Sequence, residues 1–188
     1  MVQILNKQEF SDKLLELNLT IDSFSKQANT SIEDINKWNK EIPINTVKWL
    51  LDYEYKQKIK LLQKEFIEIK KSSSKWFKNY HHAIFDFVMS KEKYTEFTVE
   101  DYNIIIRVGN EHFGFKHLVL KHYGKNSIGE ITALDILKIG NIIKYDVTVP
   151  TENEDRIVFM QSKNNIKYKV VLNKEKNGKL LFSFFSDK

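Results

Sequence analysis

All five histidines of the chain fall between positions 81 and 122, as His81, His82, His112, His117 and His122, and the 66 residues that follow contain none. The densest set of titratable groups is His117, Lys121 and His122, within the segment Phe115 to Tyr123. A zinc hydrolase helix needs two histidines at i and i+4 with a glutamate after the first, whereas His117 and His122 are five apart and Leu118 follows His117. With no cysteine in the chain, thiolate zinc sites, disulfides and cysteine nucleophiles are excluded too. The expectation is therefore a site with no metal and no cofactor.

Two imidazoles suit general acid/base chemistry, because each exchanges a proton near neutral pH. In ribonuclease-type cleavage one group removes the 2′-hydroxyl proton and another protonates the leaving 5′-oxygen. On a continuous helix His117 and Lys121 share a face, while His122 is turned about 140° from His117. Both imidazoles reach one pocket only if the helix ends near Lys121, an ending that Gly124 favours. The alternative is that either histidine simply fills a polar edge of the core.

The elements that must position these groups follow from hydrophobic spacing. Phe10, Leu14, Leu15 and Leu17 make one helical stripe over Lys7 to Leu17. Thr20 can cap a short helix bearing Ile21, Phe24 and Ala28, and Thr30 or Ser31 can cap another bearing Ile32, Ile35 and Trp38. This pair resembles a helix-turn-helix, with Asn29 where many such motifs carry a left-handed glycine. The segment Ser31 to Lys40 would be its recognition helix, with Asn36, Lys37 and Lys40 as nucleic-acid contacts and with Glu33 and Asp34 repelling phosphate. Trp38, Trp49 and Trp76 are read as packing residues.

From Pro43 a long apolar pattern runs to the serines at 72–74, predicting a helix of about 40 Å that forms a coiled-coil stalk or pairs two subunits. Beyond Trp76 strand-like runs appear at Tyr102 to Gly109, Asn141 to Val149, Arg156 to Gln161, Ile166 to Asn173 and Leu181 to Ser186. The last three are joined by short loops and predict an antiparallel meander, with helices near 80–90, 114–123 and 132–139 packed on one face. The fold class expected is α+β. It comprises a helix-turn-helix-like unit at 1–58, a long helix and linker at 59–80, and an antiparallel sheet domain with helices on one face at 81–188.

The order of a His-bearing helix, GFKHLVLKHYG, a second helix, ITALDILKIG, and then a meander resembles the barnase/EndoU/colicin/RelE-like nuclease superfamily, in particular its prophage-encoded toxin domains. The resemblance spans about Tyr102 to Lys188. It implies a metal-independent endoribonuclease with His117 and His122 as base and acid, and Arg156 and Lys121 neutralising the phosphate. Tyr168 would orient or stack a base, and Ser183, with Ser186 second, would touch the scissile phosphate. Lys116, next to His117, joins the nucleic-acid contacts.

The net charge is +5, unevenly spread. Residues 1–58 carry eight lysines against nine acidic residues, a net −1, and residues 59–80 carry six against two, a net +4. The helical unit thus lacks the usual electrostatic contribution to DNA binding. The partners expected are RNA as substrate, DNA at the N-terminal unit, an immunity or antitoxin protein, and a second copy through the long helix. No segment looks like a leader or a membrane span, which reads as a cytoplasmic protein. The competing function is a non-enzymatic helix-turn-helix regulator or phage accessory protein, with the histidines structural.

Overall fold

The computed structural model describes residues 5–38, 41–73, 77–124, 130–149, 151, 153–163, 165–175 and 180–187. The chain divides into two compact units, residues 1–57 and 58–188.

The first unit is helical. Helix α1 (Lys7–Glu16) opens with a capping box, in which the Glu9 N–H donates to Asn6 Oδ1 at 2.9 Å and the Asn6 N–H to Glu9 Oε2 at 2.8 Å. Helix α2 (Ile21–Ala28) is capped by Thr20 and ends at Asn29, whose φ of 52° and ψ of 47° are left-handed. Helix α3 (Ile32–Lys37) is capped by Ser31. It is shorter than the Ser31 to Lys40 segment expected, because the backbone is already extended at Trp38. Helix α4 (Ile44–Ser73) begins directly after Pro43, and its residues 44–57 belong to this unit. Phe10, Leu14, Phe24, Ile35, Val47 and Leu50 are buried together, with Trp38 and Trp49 packed against them. The rings interlock edge to face, Phe24 lying 5.1 Å from Trp49 and 5.2 Å from Phe10 between centroids. The packing role expected of Trp38 and Trp49 is what they perform, while Trp76 lies outside the described residues.

Residues 58–73 of α4 belong to the second unit. Leu62 and Phe66 are fully buried there, the Phe66 ring stacks on Phe85 at 6.0 Å, and Gln63 Nε2 donates to the Val88 carbonyl at 2.7 Å. This stretch is thus built into the core of its own unit, where a stalk was expected.

The second unit is α+β. Its six strands are β1 (Tyr94–Val99), β2 (Tyr102–Arg107), β3 (Val147–Val149), β4 (Arg156–Lys163), β5 (Ile166–Lys174) and β6 (Leu180–Asp187), in the order β1-β2-β6-β5-β4-β3. All neighbours are antiparallel except β2 and β6, which run parallel. The remaining helices are α5 (Asn79–Met89), α6 (Gly114–Lys121), α7 (Ala133–Leu137) and α8 (Ile139–Tyr145). Tyr168, Val170 and Leu172 of β5 share a sheet face with Phe182 and Phe184 of β6 and Phe159 of β4, and all six are buried.

Two elements differ from expectation. The strand expected over Asn141 to Val149 is helical as far as Tyr145, and only Val147–Val149 pairs, with β4. Ile139, Ile142 and Ile143 stand at i, i+3 and i+4 and are all buried, so helical spacing prevails over the β-propensity of isoleucine. Strand β1 was not expected, although Phe97 and Val99 alternate with exposed neighbours. It pairs along its whole length with β2, through a turn that takes Glu100 to a φ of 49°.

Candidate active site

Helix α6 is launched by a tight return of the chain after β2. Gly109 and Gly114 adopt φ of 68° and 77°, and a Cβ on Gly114 would sit 2.9 Å from the Arg107 carbonyl oxygen. Across this turn the Lys116 N–H donates to the Val108 carbonyl at 2.8 Å, and the Asn110 N–H to the Phe113 carbonyl at 3.0 Å. Phe115, Leu118, Val119 and Leu120 bury one side of the helix, with the Phe115 ring 5.3 Å from Phe87 of α5. Lys116 and His117 are left half-buried and Lys121 exposed.

The helix stops at Lys121. His122 takes the C-cap position with φ −124° and ψ −25°, and Gly124 follows with a φ of 67°. The condition for two converging imidazoles is met, since the rings of His117 and His122 lie 5.6 Å apart at 70°. His117 Nδ1 is 2.7 Å from the Glu111 carbonyl oxygen. A carbonyl only accepts, so Nδ1 carries the proton and the Nε2 lone pair of a neutral His117 is the one that can take another.

The end of α6 is tied down from α4. Lys58 Nζ donates to the carbonyls of Val119, Leu120 and Tyr123 at 3.4, 3.3 and 3.1 Å, placing a cation where the helix dipole is negative. The His122 carbonyl accepts the Ile131 N–H at 3.0 Å, and the neighbouring Glu130 carbonyl accepts the Tyr168 hydroxyl at 3.5 Å.

The other expected site residues are dispersed. Tyr168 is buried on the sheet face that holds Phe184, 6.4 Å from that ring. Arg156 and Ser183 stand opposite Asn173 and Val171, positions whose parity along β5 puts them on the other face of the sheet from Tyr168. Arg156 is exposed and its Nε donates to Asn173 Oδ1 at 3.0 Å. Ser186 faces Tyr168 in register. In the first unit Asn36 and Lys37 are exposed on α3, and Lys37 Nζ lies 3.5 Å from Asp34 Oδ1. Lys40 lies outside the described residues.

Sequence patterns did not single out Lys58 or the Glu111 carbonyl. Lys58 is one lysine of many on a long helix, and a main-chain acceptor leaves no mark in residue type. The glycines at 109 and 114 were the available signal that the chain doubles back before α6. Among the described residues no group of three or more His, Asp or Glu side chains is placed to hold a metal ion, and no helix is long and apolar enough to cross a membrane.

No family model, no curated protein and no solved structure matches this chain.

Proposed function

We propose that the second unit is a metal-independent endoribonuclease. His117 Nε2 takes the 2′-hydroxyl proton as the 2′-oxygen attacks phosphorus, and protonated His122 delivers a proton to the departing 5′-oxygen, leaving a 2′,3′-cyclic phosphate and a free 5′-hydroxyl. Lys121 and Lys116 supply positive charge for the phosphate. The observation that carries the proposal is the 5.6 Å approach of the two imidazoles at the end of α6, with His117 Nδ1 committed to the Glu111 carbonyl. Arg156 and Ser183 have no part in this scheme, because they share the opposite sheet face from Tyr168 and Arg156 is engaged by Asn173.

The chain acts, on this proposal, as a cytoplasmic toxin or phage-linked effector restrained by an antitoxin or immunity protein, with the exposed Leu61 and Ile67 of α4 available for pairing with a second copy. Incubation with tRNA and bulk RNA in EDTA tests the chemistry, and growth arrest on expression tests the toxin role. Intact RNA with folded wild-type protein overturns the first, and unaffected growth the second.

A second proposal, that the first unit binds DNA, is supported by the left-handed Asn29 between α2 and α3. The acids Glu33 and Asp34 at the start of α3 weigh against it. Salt-dependent binding to the gene's own upstream DNA, lost in Asn36→Ala and Lys37→Ala, supports a regulator; no binding at low salt rejects it.

A further inference from the structure

A cavity of about 480 Å³ opens between α7, α8 and strands β4 and β5, lined among others by Asn141, Tyr145, Asp146, Gln161, Ser162 and Tyr168. That volume falls within the range of small-molecule sites. Its polar groups are oriented by the protein rather than left to rotate.

The orientation begins at His81, which is 1% exposed. The Lys78 N–H donates to His81 Nδ1 at 2.7 Å, so the ring carries its proton on Nε2. That Nε2–H donates to Asn141 Oδ1 at 2.9 Å. The Asn141 amide cannot flip without losing this bond, so its NH2 group is the part left to offer. Gln161 is fixed in the opposite sense: its Nε2 donates to Asp146 Oδ2 at 2.9 Å, leaving Gln161 Oε1 as an acceptor. The hydroxyls of Ser162 and Tyr168 complete the polar lining, and the exposed ring of Tyr145 and the side chains of Leu134 and Ile142 supply apolar surface.

A fixed amide donor, a fixed amide acceptor and a carboxylate beside an aromatic ring complement the mixed donor and acceptor edge of a flat heterocycle. The charged lining is Asp135, Asp146 and Lys138, so the cavity does not select for a phosphate and recognition falls to the base. We infer that this cavity binds a nucleobase, with its edge on Asn141 and Gln161 and its face on Tyr145. The inference deepens the ribonuclease proposal and rests on it for the choice of ligand, but binding is measurable without cleavage.

The test uses the full chain carrying His117→Ala, titrated by calorimetry with the four nucleoside monophosphates, with ribose 5-phosphate as the control lacking a base. At least one nucleotide binds with a Kd below about 1 mM, and Gln161→Ala and Tyr145→Ala each weaken it about tenfold with an unchanged melting temperature. Displacement of the nucleotide by single-stranded octanucleotide RNAs identifies the ligand as a base of an RNA strand. Failure of every octamer to displace it identifies a free nucleotide. No heat or shift up to about 10 mM, equal binding of ribose 5-phosphate, or indifference to both variants overturns the inference. Failure of the wild type to cut RNA rejects the ribonuclease proposal and leaves the binding result standing.

Discussion

At His81 the surroundings dictate a pH dependence. Burial is the largest influence and holds the imidazole below the ordinary histidine pKa; the Asn141 bond pulls upward, and His82, Lys138 and Lys78 push further down. The folded pKa lies below the unfolded value of about 6.5, so the unfolded chain binds more protons as pH falls through that value, and stability declines there until the folded pKa is passed. Asp146, raised first by burial, titrates with the opposite sign, so the readout is the difference between wild type and His81→Gln. Urea unfolding at pH 7.5 and pH 5 should show the wild-type advantage shrinking at the lower pH; an advantage that grows contradicts this account. The clustering of five histidines was visible in the residue order, but their roles were not. His81 binds an asparagine 60 positions away, and only the assembled core brings the two together. Arg156 at the start of β4 was legible as a charged strand opening, whereas its hydrogen bond to Asn173, seventeen positions on, follows only from the strand register. Arg156→Ala is expected to leave RNA cleavage within about threefold of wild type, whereas loss of an acid or base group costs about a hundredfold or more.

Among the elements, α6 depends on its two ends. Gly114→Ala places a Cβ 2.9 Å from the Arg107 carbonyl at a φ of 77°, which should cost about 1–3 kcal/mol in urea unfolding. Lys58→Met removes three hydrogen bonds from the other end, with a loss of about 1–3 kcal/mol and lower RNA cleavage as His122 loses its support. In the first unit Asn29→Gly should be near neutral, while Asn29→Val should cost about 1–2 kcal/mol, because a branched Cβ is poorly accommodated at a φ of 52°. That turn and the caps at Thr20 and Ser31 were legible because capping is local chemistry. The helix at Ile139–Tyr145 was not, since its three isoleucines, at 139, 142 and 143, satisfy either a helical or an extended reading until burial selects one.

Over the whole molecule the α+β order and the terminal meander followed from alternation and turn residues, whereas the parallel pairing of β2 with β6 did not, because it joins strands more than 70 residues apart and no local signal encodes it. The long helix was legible in extent but not in use: Leu62 and Phe66 look like a stalk seam in sequence and are core in the second unit. Phe66→Ala should accordingly cost about 3–5 kcal/mol, a loss that an exposed seam would not show. The central claim is tested most directly by RNA cleavage in EDTA, comparing wild type, His117→Ala and His122→Ala after circular dichroism and melting establish that all three are folded. The account predicts cleavage by the wild type to cyclic-phosphate ends and a loss of about a hundredfold or more in each variant; cleavage that is unchanged in both variants, or absent from the folded wild type, contradicts it.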